Sequence, residues 1–438
     1  MTLTIDDSLV AKLRGEVALE LSQQVRALAG NDGASSQRGE EELLARRILN
    51  QRLDRLATDA VATGDRVFSD AEEQELTRAV LDRLFQMGRL QPLLDDDSIQ
   101  NITANGCDRV FIEYADGRKE VGPAIAATDD ELIEQIREIG RRWGLSEREF
   151  NPGRPQLNLQ LPDGSRLFAV AWVCDRPALA IRRHRFLKVT LDDMVGLGAL
   201  DRGIASFLRA AVRARRQIIV CGATGAGKTT MLRALASEIP PSERIVTIES
   251  EMELGLERFE DLHPDCVALE AREANVEGVG EVTAADLVRM SLRMNPDRVI
   301  VGEVRGDEVI PMLNAMSQGN DGSMCTVHSD SSGTAFNKMA LYAMQSPERL
   351  PIEATCQLAA AAIDLVVFIG KTRSGRFISS IRQVVGAEGG QVVTNEIFKP
   401  DRSGRAVPGI APPHELAVDL EANGWDRRLF ESPEGWWS

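Results

Sequence analysis

Residues 222–229 read Gly-Ala-Thr-Gly-Ala-Gly-Lys-Thr, which is the Gly-x-x-x-x-Gly-Lys-Thr spacing of a phosphate-binding loop. The chemistry this predicts is capture of a nucleotide's phosphates. Backbone N–H groups in such a loop point inward at the phosphate oxygens, and glycine lacks the Cβ that would hold the backbone away. Lys228 is expected to reach the β- and γ-phosphates, and the Thr229 hydroxyl is expected to ligate Mg²⁺. The flanks agree. The apolar run Ile218, Ile219, Val220 predicts a short buried strand over 217–221, and Met231, Leu232 and Leu235 predict a helix over 229–237. A helix N-terminus at that point favours negative charge.

Three further groups bear on what the nucleotide is used for. The run 298–305 is an apolar strand that ends in Glu303, the arrangement of a Walker-B acid beside the metal and its waters. The stretch 247–254 carries Glu249, Glu251 and Glu253 at the end of the next strand downstream of the loop, expected to lie adjacent to the loop-bearing strand, an acidic tip suited to orienting an attacking water. His328 stands at the end of a strand over 323–327, where its ring could sense the γ-phosphate through a hydrogen bond.

These groups need a scaffold, and the composition allows one. The 438 residues, 43% hydrophobic with a net charge of −16, describe a folded chain of two or three domains. No globally basic footprint for nucleic acid exists, so a nucleic-acid partner is not expected. The six cysteines, at 107, 174, 221, 266, 325 and 356, are scattered without a C-x-x-C pair, which suits reduced thiols better than disulfides or zinc. No apolar run reaches 18 residues, and the first 16 residues are too polar for a signal peptide. A cytoplasmic location follows as an expectation, with any membrane contact peripheral or through a partner.

Apolar periodicity predicts helices over 8–30 and 39–63 with a loop at 30–36 between them, and a third over about 70–88 capped near Ser69. These helices read either as a bundle packed on the next domain or as a docking module for a membrane partner. Short strands and a helix over 129–141 make 91–185 an α+β domain, with a hairpin about 162–165 and a strand at 179–181 running into Arg182-Arg183. Residues 186–200 read as a linker. A helix over about 202–215 precedes the phosphate loop, and from 217 to 370 strands and helices alternate as in an open sheet covered on both faces, followed by a hairpin over 377–398. The Pro- and Gly-rich tail after about 405, ending in Trp436-Trp437, reads as a loosely packed extension.

Three stretches, GATGAGKTT at 222–230, LVRMSLRMNPDRVIVGEVRG at 287–306 and AMSQGNDGSMCTVHSDSS at 315–332, resemble the secretion and pilus-assembly ATPases of type II secretion, type IV pili and type IV conjugation. RPQLNLQLPDGSRLFAV at 154–170 and LAIRRHRF at 179–186 resemble their N-terminal domain. Within that superfamily the chain looks most like the CpaF-type ATPases of tight-adherence (Tad/Flp) pili. The resemblance implies a RecA-like P-loop ATPase domain over 201–438, a smaller α+β N-terminal domain over 91–185 and a helical extension over 1–90. It implies ATP and Mg²⁺, a homohexamer, and an inner-membrane platform protein as partner, with the chain peripheral at the inner face of the cytoplasmic membrane.

By the same resemblance, Gly222, Ala223, Thr224, Gly225, Ala226, Gly227, Lys228, Thr229 and Thr230 bind the nucleotide, and Thr229 and Glu303 serve the metal. Glu253 aligns with the catalytic glutamate, Glu249 supports it, and His328 aligns with the second histidine of the His box. Arg166, Arg182 and Arg183 would bring positive charge from the N-terminal domain to the γ-phosphate. Arg293 and Arg305 are candidates for the site or for structural ion pairs. The chain departs from the family pattern at Ser250 (usually Asp), Asn320 (usually His) and Ser329-Asp330 (usually Ala-Asn). It also lacks the four-cysteine zinc module of some type II ATPases. A hexameric motor for pilus assembly or secretion is therefore the first expectation. The alternatives are a conjugation-type secretion ATPase and a weakly hydrolysing regulatory subunit.

Overall fold

A computed structural model of the chain describes residues 7–29, 38–114, 117–143, 149–183, 188–272, 274, 278–372 and 375–431. The expected loop at 30–36, His184-Arg185 of the 179–186 stretch and the terminal Trp436-Trp437 lie outside these residues. The chain divides into two compact units, 1–184 and 185–438.

The first unit opens with three helices, α1 (Asp7–Ala29), α2 (Arg38–Thr63) and α3 (Asp70–Phe85). Their apolar stripes meet in a core of Val10, Leu13, Val17, Ile48, Leu49, Leu76 and Val80. The expected cap of α3 is a complete capping box. The Ser69 hydroxyl accepts from the Glu72 amide, and the Glu72 carboxylate accepts from the Ser69 amide.

After α4 (Gln91–Asp95) come β1 (Ile99–Asn105), β2 (Val110–Tyr114) and β3 (Lys119–Gly122), then α5 (Asp129–Trp143), then β4 (Gln156–Gln160), β5 (Arg166–Val170) and β6 (Ala178–Arg182). The six strands pair antiparallel in the order β3-β2-β1-β6-β5-β4. One face carries alternate apolar residues such as Ile102, Ile112, Leu157, Leu167 and Ile181, and α5 covers them with Leu132, Ile136 and Ile139. This is the α+β part.

The second unit starts with α6 (Leu191–Gly196), α7 (Arg202–Arg213), β7 (Ile218–Gly222), α8 (Lys228–Ala236), β8 (Ile245–Glu249) and β9 (Cys266–Glu270). It continues with α9 (Ala284–Ser291), β10 (Arg298–Val304), α10 (Val309–Ser317), β11 (Met324–His328), α11 (Thr334–Gln345) and α12 (Ile352–Ala362). The segment closes with β12 (Leu365–Thr372), β13 (Gly375–Glu388), β14 (Gln391–Pro400), β15 (Ala406–Pro408), α13 (His414–Ala422) and α14 (Arg427–Glu431). Leu191 and Met194 of α6 are buried in the core of this unit, so that part of the segment joining the units is built into the second one.

The nine strands are ordered β15-β14-β13-β12-β7-β11-β10-β8-β9. From β12 to β9 all pairings are parallel, and β13, β14 and β15 extend the sheet antiparallel. The central strands are apolar on both faces. Ile218, Val220, Met324 and Leu365 meet α7 and α8 on one face, while Ile219, Val301, Cys325 and Val366 meet α10, α11 and α12 on the other. This is the RecA-like P-loop ATPase architecture, beside a smaller α+β part and a helical N-terminal extension.

Two observations differ from the sequence reading. In space, β8 is not beside the loop-bearing strand, because β11 and β10 lie between β8 and β7. Also, the tail is packed at least as far as Glu431. Trp425 meets Phe207 edge-on at 5.7 Å and Phe430 meets Phe398 at 5.3 Å, both in the core of the second unit. Aromatic burial outweighs the poor local helix-forming tendency of a Pro- and Gly-rich segment.

Candidate active site

The parallel strands run the same way, so the loops at their C-terminal ends gather at one edge, where ligands bind in such sheets. β7 delivers Gly222 there. Gly225 and Gly227 then take φ of 68° and 95°, a left-handed conformation that suits glycine. A Cβ on Gly222 would come within 2.9 Å of the Ile369 carbonyl oxygen on β12, so this glycine is required by strand proximity. Gly227 caps α8 without a side-chain acceptor, and the first-turn amides of α8 receive no side chain from their cap. Open amides, left-handed glycines and a helix N-terminus together make a cradle that fits a polyphosphate.

Around this cradle the predicted residues converge. Lys228 Nζ lies 3.3 Å from Glu303 Oε1 and donates to the Ala223 carbonyl at 3.5 Å, so its ammonium stays inside the loop. Thr229 Oγ1 donates to Glu253 Oε2 at 3.4 Å. Glu303 sits where the register of β10 against β11 slips between Val301 and Val304, an irregularity of the kind that re-aims a side chain beside a site. Burial raises the Glu303 carboxyl, but the Arg305 guanidinium, bonded at 2.6 Å, and Lys228 outweigh it, leaving Glu303 below its ordinary value. Arg305 is thus an ion-pair partner within the site. His328 closes β11 in register with Gly222, and the Ser329 amide donates to the Gly222 carbonyl at 3.4 Å.

The acidic stretch is not a uniform solvated tip. Glu249 is the last residue of β8 and only 4% exposed, whereas Glu253 lies on the loop after it. Glu249 Oε1 accepts from the Glu253 and Leu254 amides at 3.0 and 2.9 Å, while its Oε2 is buried without a hydrogen-bond partner. Burial pushes its carboxyl up to about 8, against the pull of the two amides and with help from the Glu253 and Glu257 charges. Glu249 therefore holds the loop that carries Glu253, with a carboxyl that burial favours in its neutral form.

Sequence reasoning missed several positioning groups. Arg233 on α8 donates through Nε to the Leu254 carbonyl at 2.9 Å and through Nη2 to the Glu253 carbonyl, locking the acidic loop to the phosphate-loop helix. Gly302 leaves room for Glu249, whose Cγ would lie 2.9 Å from a Cβ placed there. Lys371 and Arg376, on the β12–β13 hairpin, approach Gly225 and Gly227. The signal available for the last pair is two basic residues five apart, astride a hairpin turn at the end of a strand.

Other candidates fall elsewhere. Arg166 and Arg182 pair across β5 and β6 of the first unit, and Arg183 follows β6. Arg293 is exposed after α9. Asn320 stands before β11, opposite the end that carries His328. Its side chain donates to the Pro296 carbonyl at 2.9 Å, and its own carbonyl accepts from Gln217 Nε2 at 3.2 Å. The departure at Asn320 thus concerns the far edge of the sheet.

Among the described residues, no three His, Cys, Asp or Glu side chains form a metal cluster. One hydroxyl and nearby carboxylates do fit the donor set of Mg²⁺, which keeps several waters and takes further oxygens from substrate phosphates. No helix of the described residues is long and apolar enough to cross a membrane.

Residues 83–369 match the family described as type II/IV secretion system protein. A putative conjugal transfer protein of Mycobacterium tuberculosis is 34% identical over 346 residues, covering 77% of this chain and 95% of that protein. The type IV secretion system protein VirB11 of Brucella suis is 31% identical over 328 residues, covering 68% of this chain and 89% of that one. The solved structure of the Legionella pneumophila ATPase DotB aligns at 18% identity with a TM-score of 0.50, over 80% of this chain and 88% of that chain, a likeness of fold. The phosphate cradle, the carboxylates around it and the family match over most of the chain lead to one conclusion: the chain belongs to the type II/IV secretion system protein family and is an ATPase of that family.

Proposed function

We propose that this ATPase is a Mg²⁺-dependent, ring-forming hexameric motor that drives assembly of tight-adherence pili, of the CpaF type, through an inner-membrane platform protein at the cytoplasmic face. The observation that carries the reading is the meeting of Lys228, Thr229, Glu253 and Glu303 at one edge of the parallel sheet. Bound Mg²⁺ would be held by Thr229 with help from Glu303 and would neutralise phosphate charge. Lys228 exchanges its partner Glu303 for the phosphates. Glu253, fixed by Glu249 and Arg233, accepts a proton from the attacking water. His328 stands at the end of the strand beside the loop, where its ring can report the γ-phosphate.

Arg166 and Arg182 are like charges directly opposite on neighbouring strands, a pairing that an anion would relieve. We assign them, with Arg183, the task of making hydrolysis depend on closure of the first unit onto the nucleotide. A ring of such joints would convert hydrolysis into movement of a membrane partner.

The similarity to a conjugal transfer protein and to VirB11 favours a second reading, in which the same chemistry powers a type IV secretion channel. Deleting the gene and scoring surface pili against conjugative transfer separates the two.

The primary test is steady-state ATP hydrolysis by the purified chain beside Glu303→Gln and Lys228→Ala, with mass by light scattering with and without ATP. Turnover lost in both variants from a hexamer supports the motor. Tight ATP binding with no turnover by the unmodified chain sinks it.

A further inference from the structure

β12 runs parallel to β7 with Ile369 in register with Gly222, the residue at which β7 gives way to the phosphate loop. β12 does not stop there. It continues through Gly370, Lys371 and Thr372, and β13 returns antiparallel with Arg376 directly opposite Lys371. Opposite residues of an antiparallel pair project from the same face, so the two cations stand side by side. Both are exposed. Both flank the loop. A Cβ on Gly225 would lie 3.5 Å from Lys371 Nζ, and one on Gly227 would lie 3.6 Å from Arg376 Cδ.

Like charges facing each other across a ribbon destabilise it. Among the described residues, neither cation takes part in an ion pair or a side-chain hydrogen bond that would offset the repulsion. Anions are what such a pair recruits, and the nearest structure built to hold one is the loop itself. Its place in the sheet sharpens the assignment. The strand order is β12-β7-β11-β10-β8, so the cations lie on one side of the loop-bearing strand and Glu303 and the Glu249–Glu253 segment on the other. Thr229 and the carboxylates occupy the side that a metal, an attacking water and the terminal phosphate would use. The hairpin side is left for the phosphates nearer the nucleoside.

We propose that Lys371 and Arg376 form a second cationic clamp on the α- and β-phosphates of the nucleotide, so that the β12–β13 hairpin sets affinity for ADP and ATP alike. The clamp rests on the reading of the 222–229 loop as a nucleotide site. It gives the antiparallel extension of the sheet a direct part in nucleotide binding, in the same unit as the phosphate loop.

The test uses the full chain and a fluorescent ADP analogue, with a non-hydrolysable ATP analogue as competitor, in the presence of Mg²⁺. Lys371→Ala and Arg376→Ala are each expected to weaken both nucleotides about tenfold, as loss of one charge-assisted contact to phosphate would. The double variant should weaken both further and flatten the salt dependence of ADP binding. Lys371→Arg should retain most of the affinity. The loss should appear in the KM for ATP. Should the double variant bind ADP within about twofold of the unmodified chain while Lys228→Ala does not bind, the clamp is wrong and the nucleotide site stands. Loss of affinity for the ATP analogue alone would place the cations on the γ-phosphate and overturn the proposal. Should Lys228→Ala itself bind as tightly as the unmodified chain, the loop is not the nucleotide site and the clamp falls with it.

Discussion

Glu249 shows how one buried carboxyl can serve a site without touching substrate. Its Oε1 takes two backbone amides from the loop that bears Glu253, and burial raises its carboxyl to about 8. An acid with a folded value above its unfolded one binds more protons in the native state. Its contribution to stability is complete below the ordinary glutamate range and is lost as pH rises through about 8. Glutamine keeps the accepting oxygen and removes the titration. Glu249→Gln is therefore expected to be more stable than the unmodified chain at pH 8 and above, with the difference shrinking towards pH 5. The total change is on the order of a few kcal/mol. Denaturant unfolding at several pH values checks this, and a pH-independent difference would show that Glu249 is ionised in the fold. Glu253 has a different task, so Glu253→Gln should lose turnover.

At the scale of elements, the site depends on strands approaching closely at their C-terminal ends. β10 and β8 pair with Val301 opposite Ile248, which brings Gly302 against the Glu249 side chain. A methyl group at 302 would press on Glu249 Cγ at 2.9 Å and Oε1 at 3.0 Å in a buried place. Gly302→Ala should cost about 1–3 kcal/mol by overpacking and should lower ATP turnover, because the displaced carboxyl no longer holds the 253–254 amides. Thermal unfolding and steady-state turnover on one preparation test it, and full turnover in a destabilised variant would free Glu249 from its positioning role. Much of this edge was legible in the sequence. The loop's glycines mark a backbone need directly, and Ile218–Val220 and Met231–Leu235 carry their periods locally. Legibility ended where order in space departs from order along the chain. Nothing local says that β10 and β11 insert between β7 and β8, or that Asn320 sits at the far edge. The C-terminal helices escaped for a related reason. Their short, Pro-flanked segments are held by Trp425 and Phe430 against Phe207 and Phe398, contacts made across long stretches of chain.

At the scale of the whole molecule, the phosphate loop lies in the unit 185–438, and the arginines assigned to transition-state charge lie in the unit 1–184. In the proposed motor, such a division would let charge carried by one unit control hydrolysis in the other. The structure separates the three arginines by what already engages them. Arg183 donates to the Asp96 carbonyl and pairs with Asp97 at 3.2 Å, so its guanidinium is partly spent inside its own unit. Arg166 Nε reaches Asn158 at 3.4 Å. Arg182 is exposed and has no such partner among the described residues. Arg182→Ala in the full chain is therefore expected to bind ATP with near-unchanged affinity but to turn over at least about tenfold more slowly, as loss of a charge-stabilising donor does. Arg183→Ala should act the other way round, lowering thermal stability by about 1 kcal/mol with the smaller effect on turnover. Measuring affinity, turnover and melting temperature for both variants decides the matter. Wild-type turnover in Arg182→Ala would remove this arginine from the chemistry and with it the proposed dependence of hydrolysis on its charge.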